Sequence, residues 1–325
     1  MSLRNLTSYV FKSIKALFKC MIYLPWNYIL KMISRHVSWT QWKLLLELKF
    51  QCNPLLNPQC CYYGLGKIAK KYGVKNLLRC CIDHGVSFSS KKDVLKQRMV
   101  SRNLLFPILD YCVFSQKDKE MMTQILEDSS YSRKAKVHSL GPYILFADNF
   151  YSHSKLQELK KEYGKTLLVF PMHSAEFFDY KYDAELLIKK IEEIKKDFKS
   201  VIVCIYWHDL IFGREKKYLE KNYIVVCCGR REDPFFLSRQ KDLFSLSDMT
   251  ITNGAGTHIG YSIAMGVPCY LFKQDYELLD RGNFQDDPNY VFMKEGFYDA
   301  FSYYSFEITS TQRELVRKWW GDFKY

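Results

Sequence analysis

The chain of 325 residues contains 48% hydrophobic and 26% charged residues, and its net charge is +13. This composition excludes disordered, collagen-like and coiled-coil proteins, and the length favours two domains. Residues 1–46 hold seven basic side chains and no acidic one, so residues 47–325 carry only +6 of the net charge. The distribution predicts a basic appendage on a nearly neutral body and argues against a nucleic-acid-binding protein.

The appendage, residues 1–45, is apolar as well as basic. Lysines interrupt its most apolar part, residues 14–33, and Pro25 is expected to break it, whereas a membrane-spanning helix needs ~20 mostly apolar residues. Lysines among large apolar side chains are typical of an amphipathic helix on an anionic membrane surface. The alternative is a basic helix that packs on its own domain. The first interpretation predicts a cytoplasmic protein that is peripheral on the inner face of the cell membrane.

The cysteines argue for a reducing compartment. There are 11, and three adjacent pairs of them lie in apolar stretches. A chain of this length can form a core without crosslinks, and no two cysteines have the CxxC spacing of zinc ligands. We therefore expect reduced, buried thiols and no structural metal.

Residues 46–155 are expected to form a first α/β domain. Short strands are predicted at 79–82 and 110–114, and a helix at 117–126. Asp83, His84 and Gly85 directly follow the first strand. The basic run 89–102 is either a solvated surface or a contact for an anionic acceptor or membrane.

Residues 156–305 alternate between apolar runs and helical patterns. Five strands are predicted, at 166–171, 201–207, 223–228, 249–252 and 268–272. The helical patterns between them lie at 183–198, 213–221, 234–246 and 256–265. Continuously apolar strands joined by helices predict a parallel, doubly wound sheet that is covered on both faces.

Ligands bind outside the carboxyl ends of the strands in such a sheet. The loops after its first four strands carry the candidate ligand-binding residues: His173, Ser174, Glu176, His208, Asp209, Gly229, Arg230, Arg231, Asn253, Gly254, Gly256, Thr257 and His258. Alternatives remain for some of them. The arginines are equally suited to ion pairs with Glu232 and Asp233, and Asp209 to a helix cap.

The loop at residues 253–258 predicts a phosphate site. Gly256 and Thr257 open a helix, where free backbone N–H groups and the helix dipole suit an anion. The alternative is a tight strand-to-helix turn without a ligand. Polar loops at the ends of four strands of one sheet favour the binding site.

The stretch 248–268 resembles the nucleotide-sugar segment of GT-B glycosyltransferases. Ser247-Asp248, Gly256-Thr257, Ala264 and Gly266-Val267-Pro268 match that family's pattern. Many retaining members carry a Glu on this helix, and residues 258–262 of this chain contain none. The resemblance implies two Rossmann-like domains after an amino-terminal amphipathic segment, with a terminal helix, 306–325, packing back on the first domain.

The turn at Asp83-His84-Gly85 resembles that of surface-polysaccharide and lipooligosaccharide glycosyltransferases and, more distantly, CDP-glycerol glycerophosphotransferases. The resemblance implies a bacterial enzyme that moves sugar from a nucleotide-sugar donor to a glycan or lipid-linked acceptor without a metal. His84 or Asp83 would be the general base, although the histidine is equally suited to a structural turn. The alternatives are a CDP-polyol phosphotransferase and a noncatalytic nucleotide-sugar-binding or scaffold protein at the membrane.

Overall fold

The computed structural model describes residues 3–86, 107–128, 135–176, 178–280, 292 and 295–323. The basic run 89–102 lies outside these residues. The described chain is a mixed α/β protein with two parallel sheets and one antiparallel pair of strands. The predicted α/β class is therefore confirmed.

The first sheet contains three parallel strands in the order β1-β2-β3. They cover Cys80–Ile82, Asp110–Val113 and Lys136–Ser139. The two strands predicted in this region are confirmed, as is the helix between β2 and β3, at Gln116–Asp128. Three described strands do not establish a second Rossmann-like domain, which stays a prediction.

The second sheet contains all five predicted strands, and they are parallel in the order β7-β6-β4-β8-β9. These strands are β4 (Thr166–Phe170), β6 (Ser200–Cys204), β7 (Ile224–Val226), β8 (Met249–Thr252) and β9 (Cys269–Leu271). Strands β4, β6 and β7 follow one another toward one edge of the sheet. The chain then crosses to β8, which lies on the other side of β4. The crevice beyond the carboxyl ends of β4 and β8 is therefore a topological switch point, where doubly wound sheets bind ligands.

The helices carry labels in chain order. They are α1 (Leu3–Ser34), α2 (Trp42–Glu47), α3 (Leu65–Tyr72), α4 (Gln116–Asp128), α5 (His153–Tyr163), α6 (Ala184–Ile194), α7 (Trp207–Ile211), α8 (Lys216–Glu220), α9 (Phe236–Leu246), α10 (Thr257–Ala264), α11 (Phe297–Phe301) and α12 (Ser310–Trp320). Short 3-10 helices lie at Pro58–Cys61, Leu77–Arg79, Tyr143–Phe146 and Lys195–Asp197.

A two-stranded antiparallel arm was not predicted. Strand β5, Phe178–Tyr182, pairs with β10, Tyr276–Asp280. Polar residues interrupt both sequences, so neither has the continuous apolar pattern that identified the parallel strands. The pairing also joins segments almost a hundred residues apart, which no local pattern reveals.

The two sheets share one hydrophobic core. Cys80 and Cys112 of the first sheet belong to the same buried cluster as Leu168 and Ile202 of the second. The opposite face of the second sheet packs against α6 in a separate cluster. The crevice at the switch point consequently lies beside a continuous apolar contact between the sheets.

Helix α1 continues through Pro25, so the expected break is wrong. Among residues 11–34 of α1, whose burial the structure describes, the partly or fully buried ones are 13, 16, 20, 23, 27, 30 and 34. They recur every three or four residues, as one helix face does. Asn27 and Gln51 exchange hydrogen bonds of 2.6 and 2.9 Å along this face. Of the helices that the structure describes, none combines the length and hydropathy needed to cross a bilayer.

The end of α1 is anchored in the second half of the chain. The buried guanidinium of Arg239 donates to the carbonyl oxygen of Ser34 at 2.6 Å and to Asp233 at 2.9 Å. The Ser34 hydroxyl in turn donates to Asp233 at 2.7 Å. A buried charge needs this full set of partners, so the ion pair fixes the position of α1 on the body.

All 11 cysteines are free thiols, as predicted. Nine are buried, and the other two, Cys52 and Cys61, are partly buried.

Candidate functional site

Asn253 holds the switch point together. Its side-chain oxygen accepts a 2.6 Å hydrogen bond from the N–H of Met172, after β4, and its amide group donates to Gln274 at 3.2 Å. Asn253 is completely buried. The structure therefore gives this predicted ligand contact a structural role, joining the loops after β4 and β8. Neighbouring Gly254 is also buried, against Met172.

The start of α10 is accessible in part, but its histidine is not. His258 stacks on Phe170 with ring centroids 4.8 Å apart, and its Nε2 lies 3.0 Å from the Thr252 hydroxyl. Burial lowers the pKa of His258 to about 3, so its ring is neutral near pH 7. A Cβ atom on Gly256 would lie 2.4 Å from this ring. His258 thus supports the turn, while Gly256 and Thr257 remain at its half-buried surface.

Ser174 and Asp209 belong to a polar network that the sequence did not reveal. The guanidinium of Arg214 donates to the Ser174 hydroxyl at 2.8 Å and to Asp209 at 2.9 Å. It also pairs with Asp179 on β5. Burial raises the pKa of Asp209 to about 7, and the charge of Arg214 opposes this rise. The network connects the loop after β4 to the antiparallel arm, so we assign Ser174 and Asp209 a supporting role. A buried carboxylate needs a cation, but the sequence does not show that Asp209 is buried, so it gave no signal of the Arg214 partner.

Two histidines lie on the crevice side of this network. The His173 ring is 4.8 Å from the Tyr206 ring, and burial lowers its pKa to about 4. Burial also lowers the pKa of His208, whose Nδ1 has no hydrogen-bond partner among the described residues. Both rings are therefore neutral near pH 7 and able to form hydrogen bonds with a ligand, but they contribute no positive charge.

The paired arginines after β7 face different ways. Arg231 contacts both carboxylate oxygens of Glu176, at 3.1 and 3.2 Å, and donates to Glu232 at 2.7 Å. Arg230 instead donates to the Leu46 carbonyl at 3.2 Å and lies over a tryptophan ring. Gly229, which precedes them, is buried in a turn with φ of +103°. Arg231 is thus the cation of this loop at the crevice. Its ion pair with Glu232 matches the predicted alternative, whereas Asp233 pairs with Arg239 instead.

The His84 turn of the first sheet meets the start of α10. The N–H of Val86 donates to the Thr257 hydroxyl at 3.4 Å. The His84 ring lies 5.6 Å from the Tyr62 ring and 6.3 Å from the Tyr63 ring. Two sheets that are distant in sequence therefore border one crevice.

Asp83 lies behind this turn. It is only 4% exposed, and its N–H donates to the Cys112 carbonyl at 2.9 Å. Burial is the main cause of the rise in the pKa of Asp118 to about 6, and the charge of Asp83 adds to it. Of the two candidate bases, His84 is the one whose side chain reaches the crevice.

Tyrosines that the sequence did not single out line the space between the sheets. The hydroxyl groups of Tyr63 and Tyr206 lie 3.1 Å apart, and the Arg231 guanidinium lies 4.8 Å from the centre of the Tyr62 ring. Tyr63 adopts a left-handed φ of 56°, and the next residue is Gly64 with φ of 80°. A Tyr-Gly pair in the left-handed region is a turn signal, although its position at the crevice follows only from the fold.

The predicted site residues therefore divide into two groups. Those at the crevice are His84, His173, Glu176, His208, Arg231, Gly256 and Thr257. Those that support it or point elsewhere are Asp83, Ser174, Asp209, Gly229, Arg230, Asn253, Gly254 and His258. In the part of the chain that the structure describes, no group of His, Cys, Asp or Glu side chains is arranged to hold a metal ion.

No protein-family model matches the sequence, and no curated protein matches it significantly.

Proposed function

We propose that the protein is a GT-B-like glycosyltransferase that uses a nucleotide-sugar donor. It would act on a glycan or lipid-linked acceptor of bacterial surface polysaccharide at the inner face of the membrane. The observation that carries this proposal is the contact between Val86 and Thr257, which brings the His84 turn to the switch point of the second sheet. One crevice then offers a base from one sheet and a phosphate cradle from the other.

The donor would place its phosphates at the start of α10. The N–H groups of Gly256 and Thr257 have no hydrogen-bond acceptor among the described residues, and together with the helix dipole they would stabilise an anion there. Arg231 supplies positive charge from the neighbouring loop, but Glu176 and Glu232 already pair with it. Because Glu176 is 40% exposed, a donor phosphate can displace its carboxylate from Arg231. Neutral His173 and His208 add hydrogen bonds.

His84 would accept the proton of the acceptor hydroxyl. The acceptor oxygen forms a bond to the anomeric carbon of the sugar while the bond from that carbon to the donor phosphate breaks. The departing phosphate gains charge, which the α10 N–H groups and Arg231 stabilise. Asp83 is buried behind the turn.

A nucleotide-binding screen tests the donor site. Thermal-shift measurements with UDP, GDP, CMP, CDP and their sugars should identify a stabilising ligand, because a ligand that binds only the folded state raises Tm. Thr257→Pro should abolish that shift by removing one N–H group. Proline is tolerated at the first helical position, and the preceding Gly256 is extended, with φ of −174° and ψ of 161°, outside the α region that is disfavoured before proline.

Thr257→Ala is the matched control, because it removes the hydroxyl but keeps the N–H group. It should bind the same nucleotide. If no nucleotide shifts the Tm of the wild-type protein, the proposed donor site is wrong. A shift with CDP and CDP-polyols alone would instead favour polyol-phosphate transfer.

A further inference from the structure

A cavity lies between the end of α1 and the body. Its volume is about 450 Å³. Tyr28, Lys31, Met32 and Arg35 line one side of it. Lys67, Asp148, Asn149, Phe150, Phe235 and Ser238 line the other. The proposed transferase mechanism uses none of these residues.

Positive charge dominates this cavity. The one acidic lining residue, Asp148, already pairs with both Lys67 and Lys71. Those two lysines lower the pKa of Asp148 to about 2, so it stays ionised and paired. Lys31 and Arg35 are exposed and form no ion pair within the described residues. The cavity therefore has an excess of cations that would favour an anion.

The cavity is continuous with the exposed apolar face of α1. Tyr28 and Met32 line it, yet they are 67% and 48% exposed. On the same side of the helix lie Ile14, Phe18 and Met21, each at least 60% exposed. The spacing of these five residues, at 14, 18, 21, 28 and 32, follows one helix face. A surface that covered this apolar face would also lie across the mouth of the cavity.

We propose that this cavity binds the phosphate of an anionic glycerophospholipid in the bilayer on which α1 lies. Lys31, Arg35 and Lys67 would contact the phosphate, and Tyr28, Met32 and Phe150 the glycerol and the start of the acyl chains. Charge complementarity selects an anionic lipid, and continuity with the apolar face selects a lipid over a free anion. The inference rests on the membrane association in the proposed function, but not on glycosyl transfer.

Dihexanoylphosphatidylglycerol below its micelle concentration is the probe, because as a monomer it offers the headgroup without a membrane surface. Its binding to the full-length protein is compared by calorimetry with that of dihexanoylphosphatidylcholine and inorganic phosphate. We expect the anionic lipid to bind at least about tenfold more tightly than either comparator, since a charge-assisted contact and an apolar contact act together. Equal binding of inorganic phosphate would overturn the lipid assignment.

The paired variants separate the cavity from general surface charge. Two double variants remove the same charge from exposed positions. Lys31→Gln/Arg35→Gln changes the end of α1 and the residue after it, and Lys12→Gln/Lys15→Gln changes the first half of α1. Only the first pair should weaken binding of the short-chain lipid, by about tenfold. Equal losses, or none in either variant, would overturn the proposal. Failure of nucleotide binding would leave this result unaffected, so the two proposals can fail separately.

Discussion

His84 and Asp83 are adjacent in sequence, but the fold places one at the crevice and buries the other. If His84 is the base, His84→Gln should lower turnover by about 10²–10⁴-fold and leave donor affinity nearly unchanged, because α10 holds the donor. Steady-state kinetics and the nucleotide thermal shift measure the two effects. Asp83→Asn should lower turnover less, since Asp83 is only 4% exposed and lies behind the turn. Near wild-type turnover in His84→Gln would exclude it as the base and make His173 or Glu176 the next candidate.

His258 makes part of the stability depend on pH. An unfolded histidine takes up a proton near pH ~6.5, whereas the folded protein keeps His258 neutral down to about pH 3. Between these values the unfolded state binds more protons, so this group's contribution to the free energy of unfolding falls as pH decreases. Replacing His258 with Gln removes that contribution.

When the pH is lowered from 7 to 4.5, the free energy of unfolding should therefore fall more in the wild-type protein than in His258→Gln. The difference between the two decreases is expected to be on the order of 2 kcal/mol. Urea unfolding of both proteins at the two pH values gives this difference. His153→Gln, at an exposed position of α5, is the control and should change nothing. If wild type and His258→Gln lose stability in parallel, the buried neutral histidine is not the cause.

Helix α1 exposes large apolar side chains along one face, and its last residue, Ser34, is hydrogen-bonded to the buried Arg239 of the body. Deleting residues 1–26 should weaken binding to anionic vesicles and leave the protein folded, because Ser34 and Arg239 remain paired. Deleting residues 1–45 should also remove Trp39, which is 1% exposed. It would leave the Arg239–Asp233 pair without its Ser34 partners, and each lost hydrogen bond to a charged group costs about 1.5–3 kcal/mol.

Vesicle sedimentation and urea unfolding of the two truncated proteins separate these effects. If the shorter deletion binds anionic vesicles as tightly as the full chain at moderate salt, residues 1–26 of α1 are not the membrane contact. If the longer deletion unfolds at the wild-type urea concentration, the anchor at Ser34 adds little stability.

The sequence correctly predicted the elements that can be recognised from a short run of consecutive residues. Continuous apolar runs identified every strand of the five-stranded sheet, because burial on both faces requires them. The continuation of α1 through Pro25 was missed because the rest of a long helix can outweigh one lost hydrogen bond. The polar arm of β5 and β10 was missed because its pairing is long-range.

The site was predictable at the level of loops but not of side chains. The switch-point rule identified the correct sheet edge, since it depends only on strand order. It does not show that Asn253 and His258 turn into the core, or that Arg230 and Arg231 diverge. Such orientations depend on tertiary partners such as Gln274, which lie elsewhere in the sequence.

At the scale of the whole molecule, α12 connects both sheets. Trp320 on this helix donates a 3.0 Å hydrogen bond to the Thr257 carbonyl at the start of α10. The adjacent Trp319 lies under the ammonium group of Lys117 on α4, 3.5 Å from its ring centre. Helix α12 therefore couples the proposed donor cradle to the first sheet.

This coupling predicts the effect of a single methyl group. In Gly260→Ala the new Cβ would lie 2.1 Å from the completely buried Trp320 ring, so α10 and α12 must move apart. We expect a loss of about 1–3 kcal/mol in the free energy of unfolding, as for other overpacked cores. Nucleotide binding should weaken too, because the Trp320 hydrogen bond positions Thr257. Urea unfolding and the nucleotide thermal shift measure both losses.

In the double variant with Trp320→Leu, the effect of Gly260→Ala should shrink, since the smaller side chain leaves room for the methyl group. Equal effects of Gly260→Ala in the presence and absence of Trp320 would show that this contact does not couple the sheets.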